Sequence, residues 1–264
     1  MHSDIKADRK MKLRVLGCSG GIGGNLRTTS FLLDHDVLID AGTGVSELGL
    51  SELCSIDHIF VTHSHLDHIA CIPLLVDSVG FMRDRPLTIY ATEETLEILR
   101  QHIFNWKIWP DFSEIPNTGQ PFMRYQPVKL GETLVLDGRR ITPIPANHVV
   151  PAVGYHLDSG NASLVFSGDT TTNDALWEVV NKIENLRYLI IETAFSDNEK
   201  ELAVLSKHLC PSLLIEELKK FQRTADIFIT HLKPGEVDLT MQQIESSVHG
   251  MRPKMLLNNQ EFEF

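Results

Sequence analysis

No block of lysine or arginine occurs anywhere in this chain, and 24 basic against 35 acidic residues leave a formal net charge of −11. That balance offers no footprint for wrapping a long nucleic acid, so a small anionic substrate has to be met locally, by bound metal. The sequence also lacks any apolar run approaching the roughly 18 residues of a membrane span, and Met1 to Lys10 is polar. Its four cysteines, Cys18, Cys54, Cys71 and Cys210, contain no C-x-x-C and no paired spacing. They read as reduced thiols in a reducing compartment, which argues against a disulfide framework and a thiolate zinc site. A cytoplasmic protein with no membrane partner is the simplest expectation.

What the sequence does hold is Thr62-His63-Ser64-His65-Leu66-Asp67-His68, directly after the apolar run Ile59-Phe60-Val61. That run reads as a buried strand, so the polar residues fall on the loop leaving its end, where α/β sheets carry their chemistry. Side chains alternate along extended chain, so His63 and His65 point the same way, with Asp67 and His68 at the start of the next helix. Neutral imidazole and carboxylate suit zinc, manganese or iron, and so polar a cluster beside a buried strand is costly without a cation. A histidine-rich surface loop is the plain alternative, but it has no reason to keep both the spacing and the strand.

With 42% apolar residues, 264 residues predict one α/β domain over 1–264. Met11 to Leu16 alternates as a strand and enters the glycine-rich Gly17 to Asn25. No register there gives G-x-G-x-x-G, and Thr28 to Leu33 is strand-like where a dinucleotide loop needs a helix. The stretch predicts a tight loop that lets backbone approach the metal site. Phe31-Leu33 and Val37-Ile39 form a hairpin through Asp34-His35-Asp36, delivering Asp40 near the histidine loop, where it can orient a ligand histidine. His35 is expected on an exposed turn. Ile69, Ile72, Val76 and Val79 follow helical spacing, and Thr92 caps a helix after the strand Leu87-Tyr90.

Residues 102 to 125 form an aromatic-rich insertion with Phe104, Trp106, Trp109, Phe112, Phe122 and Tyr125. It reads as a satellite hydrophobic cluster or dimer contact, or as a lid on which a base stacks. A homodimer is expected. Further strands, Leu134-Leu136, Arg140-Ile144, Ala152-Leu157, Ser163-Phe166, Tyr188-Ile191 and Asp226-Thr230, are followed by or lead to His148, Asp169, Glu192 and His231. A helix spans about 173–181, and another begins at Pro211 after His208. His2, His58, His102, His156 and His249 have no second ligand nearby in sequence and read as solvated or core residues.

The set Thr62-His63-x-His65-x-Asp67-His68, His148, Asp169 and His231, in this order and with strands before each, resembles the metallo-β-lactamase superfamily. Closer still, His63-Ser64-His65-Leu66-Asp67-His68-Ile69, Ser167-Gly168-Asp169-Thr170, Ile191 to Phe195, His208-Leu209-x-Pro211 and Thr230 to Pro234 are similar to class II 3′,5′-cyclic nucleotide phosphodiesterases. The resemblance runs from about 11 to 245. Cys71 and Lys207 depart from it, standing where small residues or glycine are expected. It implies a four-layer αβ/βα sandwich with two divalent metals in its cleft, zinc ahead of manganese or iron. His63, His65 and His148 would hold one metal, Asp67, His68 and His231 the other, and Asp169 would bridge. Two cations about 3.5–4 Å apart can share a hydroxide and clamp an in-line phosphoryl displacement.

The related tRNA 3′-processing enzymes, tRNase Z, use a histidine placed like His208 to protonate the leaving oxygen, with a glutamate placed like Glu192 to orient it. His208, Glu192 and Asp67 are therefore the candidate catalytic residues. The plainer role for His208 is capping the helix near Pro211, and for Glu192 accepting structural hydrogen bonds. The tRNA-binding arm of the bacterial enzymes lies between the ligands matching His148 and Asp169, which here are 21 residues apart (169 − 148). That spacing leaves no room for the arm and favours a small nucleotide, cAMP or cGMP. A thioester hydrolase or a non-catalytic scaffold are the other readings, the scaffold being disfavoured because every ligand is kept. Lys233 either meets a phosphate or is a solvated loop residue.

Overall fold

The structure, a computed structural model, describes residues 10–247 and 250–264. Met1 to Arg9 of the polar N-terminus, with His2, and His249 lie outside the described residues. The first half runs β1 (Lys12–Gly17), β2 (Ser30–Leu33), β3 (Val37–Ile39), α1 (Leu50–Ser55), β4 (His58–Phe60), α2 (Leu66–Ile69), α3 (Cys71–Val79), β5 (Leu87–Ala91), α4 (Glu93–His102) and β6 (Met123–Pro127). The second runs β7 (Leu134–Leu136), β8 (Arg139–Pro145), β9 (Val153–Asp158), β10 (Ser163–Phe166), α5 (Asp174–Val180), β11 (Leu186–Glu192), α6 (Lys200–Leu205) and α7 (Pro211–Leu218). It closes with β12 (Asp226–Thr230), α8 (Val237–Ser247), β13 (Lys254–Met255) and β14 (Glu261–Glu263).

Two seven-stranded sheets result, ordered β14-β1-β2-β3-β4-β5-β6 and β13-β12-β11-β10-β9-β8-β7. Each pairs its strands antiparallel at one side and parallel at the other. The parallel runs are β3 to β6 and β10 to β13. Parallel neighbours cannot be joined by a tight turn, so each of these steps is bridged by at least one helix.

Strand alternation sorts the apolar residues into three layers. Val37, Ile39 and Phe60 face the second sheet, where they meet Tyr155, Phe166, Ile190 and Phe228. Their neighbours Leu38 and Ile59 turn outward onto Ile72, Leu75 and Val76 of α3 and Leu96 and Leu99 of α4. In the second sheet Leu189, Ile191, Ile227 and Ile229 turn outward onto Leu176, Leu214, Leu218 and Ile244. Strands buried on both faces read as unbroken apolar runs, which is why Ile59-Phe60-Val61 shows no alternation. The architecture is the expected αβ/βα sandwich. Thr92 caps α4, its side chain accepting from the Thr95 backbone N–H.

The aromatic segment extends the outer layer of the first sheet. Phe104 and Phe112 are buried there, and Trp109, Phe122 and Tyr125 pack against them. The Arg100 guanidinium lies 4.6 Å from the Tyr125 ring centroid. These five rings pack into the outer core, while Trp106 is 59% exposed. No helix among the described residues is long and apolar enough to cross a membrane.

At the end of the sandwich opposite the strand C-termini, Arg139 at the start of β8 reaches Asp36 in the β2–β3 turn. Both Nη nitrogens donate to the carboxylate, the Nη2 bond at 2.8 Å, and Arg139 is 1% exposed. Asp34 and Asp137 stand 3.6 and 3.7 Å away. Burial raises the Asp36 carboxyl, but the bonds and charge of Arg139 outweigh it and hold the group below its usual range. Asp36→Asn should therefore cost about 3–5 kcal/mol at neutral pH, because it strips a buried guanidinium of its nearest carboxylate. A depressed folded value contributes stability above the unfolded value of about 3.9 and loses it as pH falls through the folded one. In denaturant titrations the gap between native and variant protein should thus narrow below about pH 4; a gap constant to pH 3 would contradict an ionic origin.

Candidate metal centre

Asp40, the His63–His68 stretch, His148, Asp169, Glu192 and His231 sit at or just beyond the C-terminal ends of β3, β4, β8, β10, β11 and β12. These strands end on one rim, so six separate pieces of chain meet at the seam between the sheets. His63, His65, His148 and Asp169 offer ligand atoms within 4.8 Å of one another, as do Asp67, His68 and His231. Asp169 joins the two groups: its carboxylate oxygens lie 3.7 Å from His63 Nε2, 3.4 Å from His68 Nε2 and 3.4 Å from His231 Nε2. Asp67 is 3.6 Å from His231 Nε2 and 4.0 Å from His68 Nε2.

Most of these separations are too long for hydrogen bonds. Nε2 of His63, His68 and His231 is buried without any hydrogen-bond partner. Buried nitrogens are rarely left so, and lone pairs converging on shared carboxylates are what a divalent cation fills. The donor set fits metal.

The outer nitrogens of His63, His68 and His148 are spoken for, whereas His231 Nδ1 is buried without a partner. Asp40, fully buried, accepts from the Thr62 N–H at 2.7 Å, from the Thr62 hydroxyl at 2.8 Å and from His68 Nδ1 at 2.7 Å. Having given its one proton to Asp40, the Thr62 hydroxyl accepts from His63 Nδ1 at 3.0 Å. His148 Nδ1 donates to the Lys207 carbonyl at 3.1 Å. In each of these three rings Nδ1 is anchored and Nε2 is presented inward.

Backbone strain concentrates here. Asp40, Lys207 and His231 all have positive φ, +55°, +53° and +65°, conformations that need support from their surroundings. Gly20 supplies part of it, since a Cβ there would lie 2.4 Å from the His231 carbonyl oxygen. The glycine loop is thus the close-approach element expected of it.

Burial keeps the imidazoles neutral: it drives His63 well below its ordinary value, His148 down to about 4 and His231 down to about 3. His68 moves the other way, because Asp169 and Asp40 outweigh its burial. Asp169, raised by burial but faced by His231 and His68, is held well below the carboxylate range.

Beside this cluster Glu192, fully buried, accepts from His208 Nδ1 at 2.7 Å, from the Thr170 N–H at 3.1 Å and from the Leu209 N–H at 3.2 Å. The His208 ring stacks on His231 at 5.2 Å and lies 4.9 Å from His148. The N-cap of α7 is Cys210, without a side-chain bond, so His208 does not cap that helix. Burial raises the Glu192 carboxyl, and Glu192 in turn raises His208 against its own burial.

Two departures from the family pattern find local accounts. Cys71 is a buried member of the outer core, where a thiol packs as a small apolar group. Lys207 takes the left-handed backbone that glycine favours, and its ammonium donates to Asn147 Oδ1 at 3.3 Å and the His148 carbonyl at 3.1 Å. It therefore holds His148 from both ends, a role the residue type alone does not signal. Lys233 donates to the Gly20 carbonyl at 2.7 Å. His35 is exposed, His58 faces the Tyr90 hydroxyl at 3.1 Å, and His102 and His156 join no ligand group. His58 does meet Asp36 and Asp57, but those carboxylates are taken by Arg139, Arg83 and Arg85.

The model of the Beta-lactamase superfamily domain matches residues 35–237, and the chain belongs to that superfamily. Among curated proteins it is 28% identical over 205 residues to a probable 3′,5′-cyclic-nucleotide phosphodiesterase of Yersinia pestis, covering 69% of this chain and 58% of that protein. The chain thus spans less than two thirds of that relative. It is 27% identical to a 3′,5′-cyclic-nucleotide phosphodiesterase of Aliivibrio fischeri over 83% of this chain and 80% of that one. The solved structure of unliganded yeast PDE1 aligns with a TM-score of 0.79 at 18% identity, covering 95% of this chain and 98% of that one. At that identity the likeness speaks to the fold.

Asp40→Asn keeps the shape but not the acceptor pattern that three donors require. Its affinity for zinc, measured by competition with a chelating dye, should fall by about 10–100-fold. Unchanged affinity in a folded variant would remove Asp40 from the support of the centre.

Proposed function

We propose that this protein is a hydrolase that opens 3′,5′-cyclic nucleotides, cAMP or cGMP, to 5′-monophosphates with two divalent metal ions. His63, His65 and His148 would hold the first ion and Asp67, His68 and His231 the second, with Asp169 shared between them. Zinc is the first choice for so imidazole-rich a set. When bound, such ions acidify water and neutralise the charge on phosphoryl oxygens.

The protein's own groups do the rest. As the water oxygen bonds to phosphorus, the P–O3′ bond breaks and the departing 3′-oxygen needs a proton. His208 is the group to give it. Its Nδ1 is held by Glu192 at 2.7 Å, and no described residue bonds its Nε2. Glu192 raises the basicity of the ring and fixes its direction, which favours the imidazolium and aims it. This buried acid pair against the metal-type cluster is the observation that carries the reading. Only the strands β9 and β10 fill the span from His148 to Asp169, which favours a small nucleotide over precursor tRNA.

Zinc-loaded protein should convert cAMP or cGMP to the 5′-monophosphate and leave precursor tRNA untrimmed. Trimming of tRNA with cyclic nucleotides untouched would reverse the choice of substrate.

His208→Ala should keep its metal and bind substrate nearly normally while turnover falls by about 10²-fold or more. The deficit should shrink on a p-nitrophenyl phosphodiester, whose leaving group needs no proton. Equal, mild losses on both substrates would retire His208 as the acid.

A further inference from the structure

A cavity of about 620 Å³ opens on the same rim, beside the loop that carries His148. That volume falls within the range of roughly 300–1,000 Å³ typical of small-molecule sites. Val128 and Leu130 after β6 form one wall, and Ala146, Pro151 and Val153 form the other. Ala146 is two residues before His148 and Pro151 three after it. Successive Cα atoms are about 3.8 Å apart, so both lie within roughly 8–11 Å of the His148 Cα.

The second wall is also fastened to the metal-type loop. The Val153 N–H donates to the Thr62 carbonyl at 3.0 Å, and the Thr95 hydroxyl donates to the Pro151 carbonyl at 3.4 Å. Leu66 and Val149, adjacent to His65 and His148, are 65% and 50% exposed. His65 Nδ1 and His148 Nε2 approach to 3.1 Å, so an exposed apolar side chain stands next in sequence to each of these two imidazoles. The rim carries no net positive charge: its charged residues are Glu93, Glu94 and Lys129, and Glu93 is tied to Arg100. An anion gains nothing there, whereas an uncharged planar group can bury its faces.

On the phosphodiesterase reading, we infer that this cavity takes the nucleobase of the substrate while the ribose phosphate sits at the histidine-aspartate cluster. Leu130, 57% exposed, is the residue to change, since a substitution there leaves the core intact.

The test compares a cyclic nucleotide with the base-free methyl riboside 3′,5′-cyclic phosphate, for the native protein and for Leu130→Asp. The native protein should favour the nucleotide in kcat/KM by roughly tenfold or more. Leu130→Asp should lose most of that preference through a higher KM, with kcat, the base-free reaction and the melting temperature unchanged. Equal use of both compounds by the native protein, or an equal loss on both in the variant, would overturn the cavity assignment and leave the phosphodiesterase reading standing. Turnover of neither compound by the native protein would sink that reading, and this inference with it.

Discussion

An ionised carboxylate almost out of reach of water, Asp169 at 2% exposure, is the constraint on which the rest of the structure depends. Burying such a group costs several kcal/mol unless its surroundings answer the charge. Here His68, whose basicity Asp169 and Asp40 raise, answers it with charge, while the bare Nε2 atoms of His63 and His231, 3.7 and 3.4 Å from its oxygens, leave the rest of the site shaped for a cation. Those rings hold their aim because Asp40 and Thr62 fix the outer nitrogens of His68 and His63. Asp40 in turn holds its place through the short strand β3 and a left-handed backbone angle. The strain at Asp40 and His231 is therefore the local counterpart of a centre whose donors must converge whatever the backbone prefers.

Much of this was legible from residue order. The spacing within 63–68 put His63 and His65 on one side of an extended segment, and their rings do meet, 4.7 Å apart. Asp40 was readable as an orienting acceptor because the hairpin before it is short and strongly apolar. The layered core followed from runs such as Ile59 to Val61, whose lack of alternation signals burial on both faces. The metal-type assignment of His148, Asp169 and His231 leaned on family resemblance, since each stands alone behind its strand.

Other features had no local signature. Strand β14 contributes only Phe262 to the core from between two glutamates, and its partner β1 lies some 250 residues earlier, so neither period nor turn chemistry announces it. Lys207 looks like an ordinary surface lysine. Its double hold on His148 spans 59 residues of sequence, and only the fold brings the two together. The Thr62 hydroxyl likewise gains its meaning from proton accounting among three neighbours. The aromatic segment was ambiguous for a related reason: composition reports that rings are present, while only tertiary packing tells which face they cover.

The two halves of the chain share one pairing plan, antiparallel strands giving way to parallel ones, and they meet at the seam as equals. Asp40 and the histidines and aspartate of 63–68 come from the first half; His148, Asp169, His231 and the His208–Glu192 pair come from the second. At the far end the buried guanidinium clasp of Arg139 on Asp36 also runs from one sheet to the other. All four cysteines are free thiols, so no disulfide joins the halves. A cation gripped by His63 on one side and His148 on the other would act as a reversible cross-link, closing a long loop of chain much as a disulfide does. Hydrolytic chemistry and the mechanical closure of the sandwich would then draw on the same few atoms, and a chelator would loosen both.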